Sequence, residues 1–284
     1  MEIRVERKAD RIEHPIEFGA NEQVQRKRVV LHSDDFAAQS PFLRLSEDWF
    51  AAPGGFETHP HRGMQTVTLV LDGALHHRDH TGADGVLRTG DVQWMTAGRG
   101  VLHSEMPYGR ERAHTLQLWL NLPATAKMIP ARYVDQRAAA VPVQREAGVE
   151  RRVYAGDFDG IAQPHGSEWP MMLVDIAMEP GATCQQAIPA GYRGFLYVLD
   201  GKAQIGADRR SIVAPDVAWF EPTRDAAPGA NDTIPIIADG SFRALLFAGP
   251  PIDEPVVAYG PFVMNSVDEI RKAFGDYQTG RLVG

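Results

Sequence analysis

Short apolar runs recur along the chain, each closed by Gly, Pro, Asn or Asp: TVTLVL at 66–71, VQWM at 92–95, TLQLWLNL at 115–122, MMLVDIAM at 171–178, FLYVL at 195–199, DVAWF at 216–220 and FRALLF at 242–247. Runs of this length between turn-forming residues predict the short strands of a β-sandwich or barrel. Stretches with helical period are scarce, so the chain reads as all-β. The exception is the end, MNSVDEIRKAFGDYQTG. Ser266 and Glu269 have the spacing of a capping box, in which each side chain satisfies a free backbone N–H. Val267, Ile270, Phe274 and Tyr277 then share one helical face, and Gly280 suits the stop. A short C-terminal helix near 267–278, packed by that stripe, is expected.

The runs also echo one another. HRGMQTVTLVLDG ends at Gly73 and YRGFLYVLDG at Gly201, and each is read as ending in a turn. An acid-led strand with an aromatic follows each, GDVQWM at 90–95 and PDVAWF at 215–220. Two copies of one β unit predict a duplicated barrel. The mixed-charge stretch at 135–150 suits the junction, which divides the chain into 1–138 and 139–284.

Charge and cysteine content narrow the function classes. Lys and Arg total 29 against 37 Asp and Glu, a net charge of −8. That excess of acid argues against a protein that neutralises nucleic-acid phosphates. A lone Cys184 excludes an intrachain disulfide and a multi-thiolate zinc site, and is read as a small core residue. The opening MEIRVERKADRIEH has no apolar stretch of signal-peptide length, and no run is long enough to span a bilayer. The cytoplasm is the expected location.

Candidate chemistry lies in the first copy. GGFETHPHRG places His59 and His61 two residues apart, and GRGVLHSEMP does the same for His103 and Glu105. On a strand, residues i and i+2 point to the same face, so each pair can present two ligands to one point in a barrel. Three imidazoles and one carboxylate suit a divalent transition metal such as iron, manganese, nickel, copper or zinc, and do not suit calcium or magnesium. The second copy, GATCQQAIPAGYRGFLYVLDG, has no histidine, and no metal is expected there.

Other clusters read as structural. The HHRDH run, His76, His77, Asp79 and His80, fits a solvated hairpin, with one of His76 and His77 turned inward as a neighbour of the ligands. His14, His32 and His165 have no partner at ligand spacing. Ser104 points away from His103 by strand alternation, which disfavours a nucleophile pair. Gly98 and Gly100 in AGRGV allow a tight turn before the ligand strand.

HPHRGMQTVTLVLDG, GDVQWMTAGRGVLHSEMP, LQLWLNLP and GPFVMN together resemble the pirin family of the cupin superfamily, from about residue 40 to the C-terminus. The resemblance implies a bicupin of two stacked β-barrels, the first holding one metal, with Fe(II) the expected ion and Mn, Ni, Cu, Co or Zn admitted. Carried over position by position, the ligands are His59, His61, His103 and Glu105. Cupins commonly carry a Glu four residues after the second His. Here Gln65 stands there, and a neutral hydrogen-bonding group near the metal is expected in its place.

The resemblance further implies quercetin 2,3-dioxygenase activity: a flavonol and O2 give a depside and carbon monoxide. Glu105 is the candidate general base for the flavonol 3-hydroxyl. Phe56, Met64, Trp94 and Met106 are candidates for a flat apolar pocket, although Trp94 and Met64 sit on strongly apolar strands that favour the core. The expected partners are a small aromatic or flavonol substrate and O2, on a monomer. The alternative the resemblance offers is a non-enzymatic, iron-binding regulatory protein acting through a protein partner.

Overall fold

The computed structural model describes residues 4–32, 35–109, 111–158, 161–163, 166–227 and 229–283. The chain forms two compact units. One gathers Ile16–Ala140, Gly166–Trp169 and Ile252–Gly284, and the other gathers Met1–Pro15, Val141–His165 and Pro170–Pro251. The border after Ala140 falls inside the expected junction, yet half of that stretch belongs to strands, Arg132–Gln136, Val143–Glu146 and Val149–Phe158. Each terminus also joins the unit opposite to the one its sequence position suggests: Arg11–Glu13 pairs with Val217–Phe220, and the C-terminal helix groups with the first barrel.

In the first barrel one layer runs Arg132–Gln136, Val92–Thr96, Met64–Asp79, Arg112–Asn121, Phe42–Ala51, Arg26–Leu31 and Ile16–Phe18, all antiparallel. A second layer is built where the far half of Met64–Asp79 pairs with Asp84–Arg88 and with Val101–Pro107, which in turn pairs with Phe56–His61. One long strand therefore serves both layers, and its bend lies at Gly73. The VLDG segment, expected to be a turn, instead continues as strand. Gly73 has φ +79°, and a Cβ there would meet the Arg112 carbonyl at 1.8 Å. Only glycine can occupy such a bulge without pushing the partner strand away.

The second barrel repeats this device. Arg193–Ile205 and Asn231–Gly249 each run through both layers, and Gly201, at φ +79°, would bring a Cβ to 1.9 Å from the Ser241 carbonyl. The internal echo is thus a repeated bend rather than a repeated hairpin. Its interior holds an apolar cluster including Val174, Ile176, Leu196, Val198, Ile205, Ile234, Ile236 and Leu246, and on the same face the buried Arg151 donates to Gln186 at 3.1 Å. Cys184 packs half-buried against that cluster.

The terminal helix spans Val267–Gln278, and the Ser266 hydroxyl accepts from the Glu269 N–H at 3.3 Å as the capping box predicts. Its packed face keeps part of the expected stripe. Ile270 is buried and Phe274 packs beside it against Phe262, whereas Val267 and Tyr277 are exposed. Ala273 and Asp276 also turn inward, and the Asp276 carboxylate meets the buried Arg62 guanidinium at 2.7 Å. No helix among the described residues is long and apolar enough to cross a membrane.

Candidate metal centre

His59 and His61 lie on the Phe56–His61 strand, and His103 lies on Val101–Pro107, directly across from His59. Period-2 alternation on both strands turns the three imidazoles to one face. One nitrogen from each falls within 4.8 Å of the other two. His61 and His103 are buried, at 2% and 1% exposure, and His59 is partly open to solvent.

The second nitrogen of each ring is already engaged. His59 Nδ1 donates to the Glu57 carbonyl at 2.8 Å, and His61 Nδ1 to the Pro261 carbonyl at 3.3 Å. His103 Nδ1 lies 3.1 Å from His77 Nε2. Anchoring Nδ1 leaves Nε2 as the lone-pair nitrogen, the arrangement metal-binding histidines use to fix tautomer and ring plane. Nε2 of His61 and of His103 are buried with no hydrogen-bond partner in the protein. Two such orphaned atoms aimed into one cluster are rare in a folded interior and fit a metal ion. Burial, reinforced by the neighbouring His59, holds His61 down to about 3. Burial, then His61, His59 and His77, likewise keep His103 well below the usual imidazole range. Both rings are therefore neutral at pH 7, as ligands must be.

Glu105 shares the inward face of its strand with His103 and is buried, but it stands outside the three-imidazole group. Its carboxylate accepts from Gln117 Nε2 at 2.9 and 2.8 Å, one bond to each oxygen, and from the Thr68 hydroxyl at 3.4 Å. Thr68 faces the barrel interior, so Thr66 and Met64 share its face while Gln65 takes the opposite one. The expectation that Gln65 lies near the metal is accordingly corrected. Its amide donates to Gly166 O at 2.7 Å and Thr96 Oγ1 at 3.1 Å, and its carbonyl accepts from the Ser167 hydroxyl at 2.9 Å. Gln65 anchors the Gly166–Trp169 segment.

Of the expected apolar pocket, only Phe56 approaches the imidazoles, 6.3 Å from the His59 ring. Met64 packs with Leu43 and Val263, and Trp94 is buried beside Gly166. Met106 alternates away from Glu105 and lies against Gly55. Trp119 takes the place beside the cluster, its ring edge-on to His61 at 5.1 Å. Alternation along TLQLWLNL sets Gln117 and Trp119 on one face, a signal the sequence reading left unused.

The remaining histidines fall out as structure. His77 is buried against His103, while His76 pairs with Asp84 at 2.6 Å on the surface side. His80 accepts from the Leu102 N–H, and His14 pairs with Asp216. His32 is exposed, and His165 lies outside the described residues. A Cβ on Gly98 would meet the Ile129 carbonyl at 2.2 Å, and one on Gly100 the Leu282 carbonyl at 2.3 Å.

Comparison with known proteins agrees with this geometry. Residues 11–120 match the family model described as Pirin, and residues 173–283 the one described as Pirin C-terminal cupin domain. Pirin-1 of Arabidopsis thaliana is 42% identical over 243 residues, 85% of this chain and 83% of that protein. A quercetin 2,3-dioxygenase from Acinetobacter baumannii superposes with a TM-score of 0.85 at 29% identity, covering 98% of each chain. A bacterial pirin from Escherichia coli, solved in complex with nickel(II), does so with a TM-score of 0.66 at 25% identity, covering 88% of this chain and all of that one.

Proposed function

Because this chain belongs to the pirin family, we propose that it is a metal-dependent dioxygenase that cleaves flavonols such as quercetin with O2, releasing carbon monoxide. The observation that carries this reading is the pair of buried, partnerless Nε2 atoms of His61 and His103 beside His59. The likeness to a quercetin 2,3-dioxygenase over nearly the whole chain supports the choice of reaction.

His59, His61 and His103 would hold one divalent transition ion, Fe(II) first among those the donors admit. Glu105, two residues from His103 on the same face, would be the fourth donor. When bound, the ion would supply Lewis-acid and redox chemistry at an enolic oxygen and O2. The protein's own groups do the rest. The Glu105 carboxylate, oriented by Gln117 and Thr68, takes the proton of the flavonol 3-hydroxyl as general base. Trp119 and Phe56 flank the imidazoles and offer aromatic surface to a flat substrate while excluding water.

The test is consumption of quercetin and O2 with release of carbon monoxide by metal-reconstituted protein. Turnover in the wild type and its loss in His61→Ala is the expected result. Quercetin binding at full metal occupancy without any turnover would overturn the enzymatic reading in favour of a regulatory metalloprotein with a protein partner.

A further inference from the structure

The first barrel's metal cluster is braced by a part of the chain about 200 residues away. Pro261 supplies the carbonyl that orients His61, a contact spanning 200 positions. The next residue, Arg62, is buried, and its guanidinium is fully spent on the same region and its neighbour. It donates to the Asp276 carboxylate at 2.7 Å, to the Leu282 carbonyl at 3.4 Å and to the Arg99 carbonyl. The Arg62 backbone closes the contact, its carbonyl accepting from the Val263 N–H at 3.0 Å.

Two glycines and a lysine tighten the same joint. A Cβ on Gly63 would lie 2.0 Å from the Val263 carbonyl, so the chain after His61 touches the C-terminal hairpin Val257–Tyr259/Phe262–Met264 backbone to backbone. Lys127 Nζ, buried, bonds the Gly63 carbonyl at 2.8 Å and the Val263 carbonyl at 3.2 Å. Gly100, three residues before His103, meets Leu282 in the same way. Both turns that deliver buried imidazoles therefore rest on residues 261–282. The inward Asp276 is the unusual feature, a carboxylate on the helix's packed face beside Ile270 and Ala273.

Resting on the metal-binding part of the reading above, we infer that Asp276 of the C-terminal helix is a positioning residue of the metal centre: through Arg62 it holds the Arg62–Gly63 backbone against Pro261 and the Phe262–Met264 strand and so fixes the ring plane of His61. The helix is then part of the site rather than a packing cap. Groups that orient metal-ligating histidines typically contribute about 10- to 100-fold in metal affinity.

The experiment measures metal dissociation constants by chelator competition, with the spectrum of the Co(II)- or Cu(II)-loaded full-length protein as a second readout. Asp276→Asn is expected to weaken binding by about tenfold or more and to shift the ligand-field bands. Asp276→Glu, which keeps the charge, is expected to recover part of the affinity. Ser266→Ala, which loosens the same helix at its N-cap, is the structural control and is expected to lower the melting temperature without moving either readout. An unchanged affinity and spectrum in Asp276→Asn overturns the inference, as does a loss in Ser266→Ala that matches it. Should Asp276→Asn not fold, the double variant Arg62→Met/Asp276→Leu, which removes the pair without leaving a buried charge unpaired, carries the test, and wild-type affinity together with a wild-type spectrum in it overturns the inference. A wild type that binds no metal defeats the functional reading itself, a result plainly different from any of these.

Discussion

On the inner face of the first barrel, strand pairing sets Ser46 against Gln117, Asp48 against Thr115, and Gln117 against Thr68. On the inner face of the second it sets Val174 against Leu246, Ile176 against Ala244, and Leu196 against both Leu246 and Ala218. The strand order and the glycine bends correspond, yet the first interior pairs polar side chains across its strands, while the second is largely apolar around one buried Arg151–Gln186 pair. The segments that open the echoed motifs show the same divergence. Where the first copy reads HPHRG and presents two imidazoles, the second reads AGYRG, and its region offers carbonyls instead. Those of Pro189, Ala190 and Tyr192 accept from the buried Arg7 guanidinium at 2.9, 2.7 and 2.6 Å. The second copy turns its interior to cohesion, because buried apolar area stabilises without needing partners. The first keeps polar groups buried, which is tolerable only where each has a bonding partner. Shared architecture therefore says little about where chemistry resides.

That contrast can be broken in steps. Leu246→Ala opens a cavity in the apolar interior and is expected to cost about 2–5 kcal/mol in denaturant unfolding while leaving metal content unchanged. A loss of metal in that variant would mean the second barrel is not simply cohesive. Gln65→Glu, which restores the commoner cupin residue, points away from the cluster. It replaces a donor amide by a carboxylate facing the Gly166 carbonyl, with an expected loss of about 1–3 kcal/mol in stability. Unchanged metal affinity in the same variant would confirm which face Gln65 occupies. The smallest effect is expected of His77→Phe, which removes the acceptor of His103 Nδ1. Metal affinity should fall by about tenfold, some 1.4 kcal/mol, by chelator competition, with His77→Gln between it and wild type.

Strand periodicity made much of this legible. The H-x-H and H-x-E spacings translate directly into side chains on one face of each strand. That the two pairs meet was implied by the family resemblance rather than by spacing, and it is the pairing of His59 with His103 that brings the three imidazoles together, with Glu105 outside the group. The same parity should have sent Gln65 outward, but that required knowing that Thr68 points in, a fact supplied by its contact with Glu105 on another strand. The VLDG segments looked like turns because Asp-Gly is a strong turn signal. Only the approach of the Arg112 and Ser241 carbonyls shows why glycine stands there in a continuous strand. Pro261 and Asp276 were invisible for a different reason. Pro261 lies 200 positions from His61 and Asp276 lies 214 from Arg62, and no local pattern encodes such a meeting. The terminal helix has the expected extent and packs through Ile270 and Phe274 of the expected stripe, whereas the inward Asp276 answers to an ion pair with Arg62 that no local pattern encodes.

Elemental analysis of the anaerobically reconstituted protein bears most directly on the central claim, that three imidazoles of one barrel converge on a single ion. The account predicts one transition-metal ion per chain in the wild type and in Leu246→Ala, and background levels in His61→Ala and His103→Ala. A wild type without metal, or a His103→Ala variant that retains it in full, would contradict it.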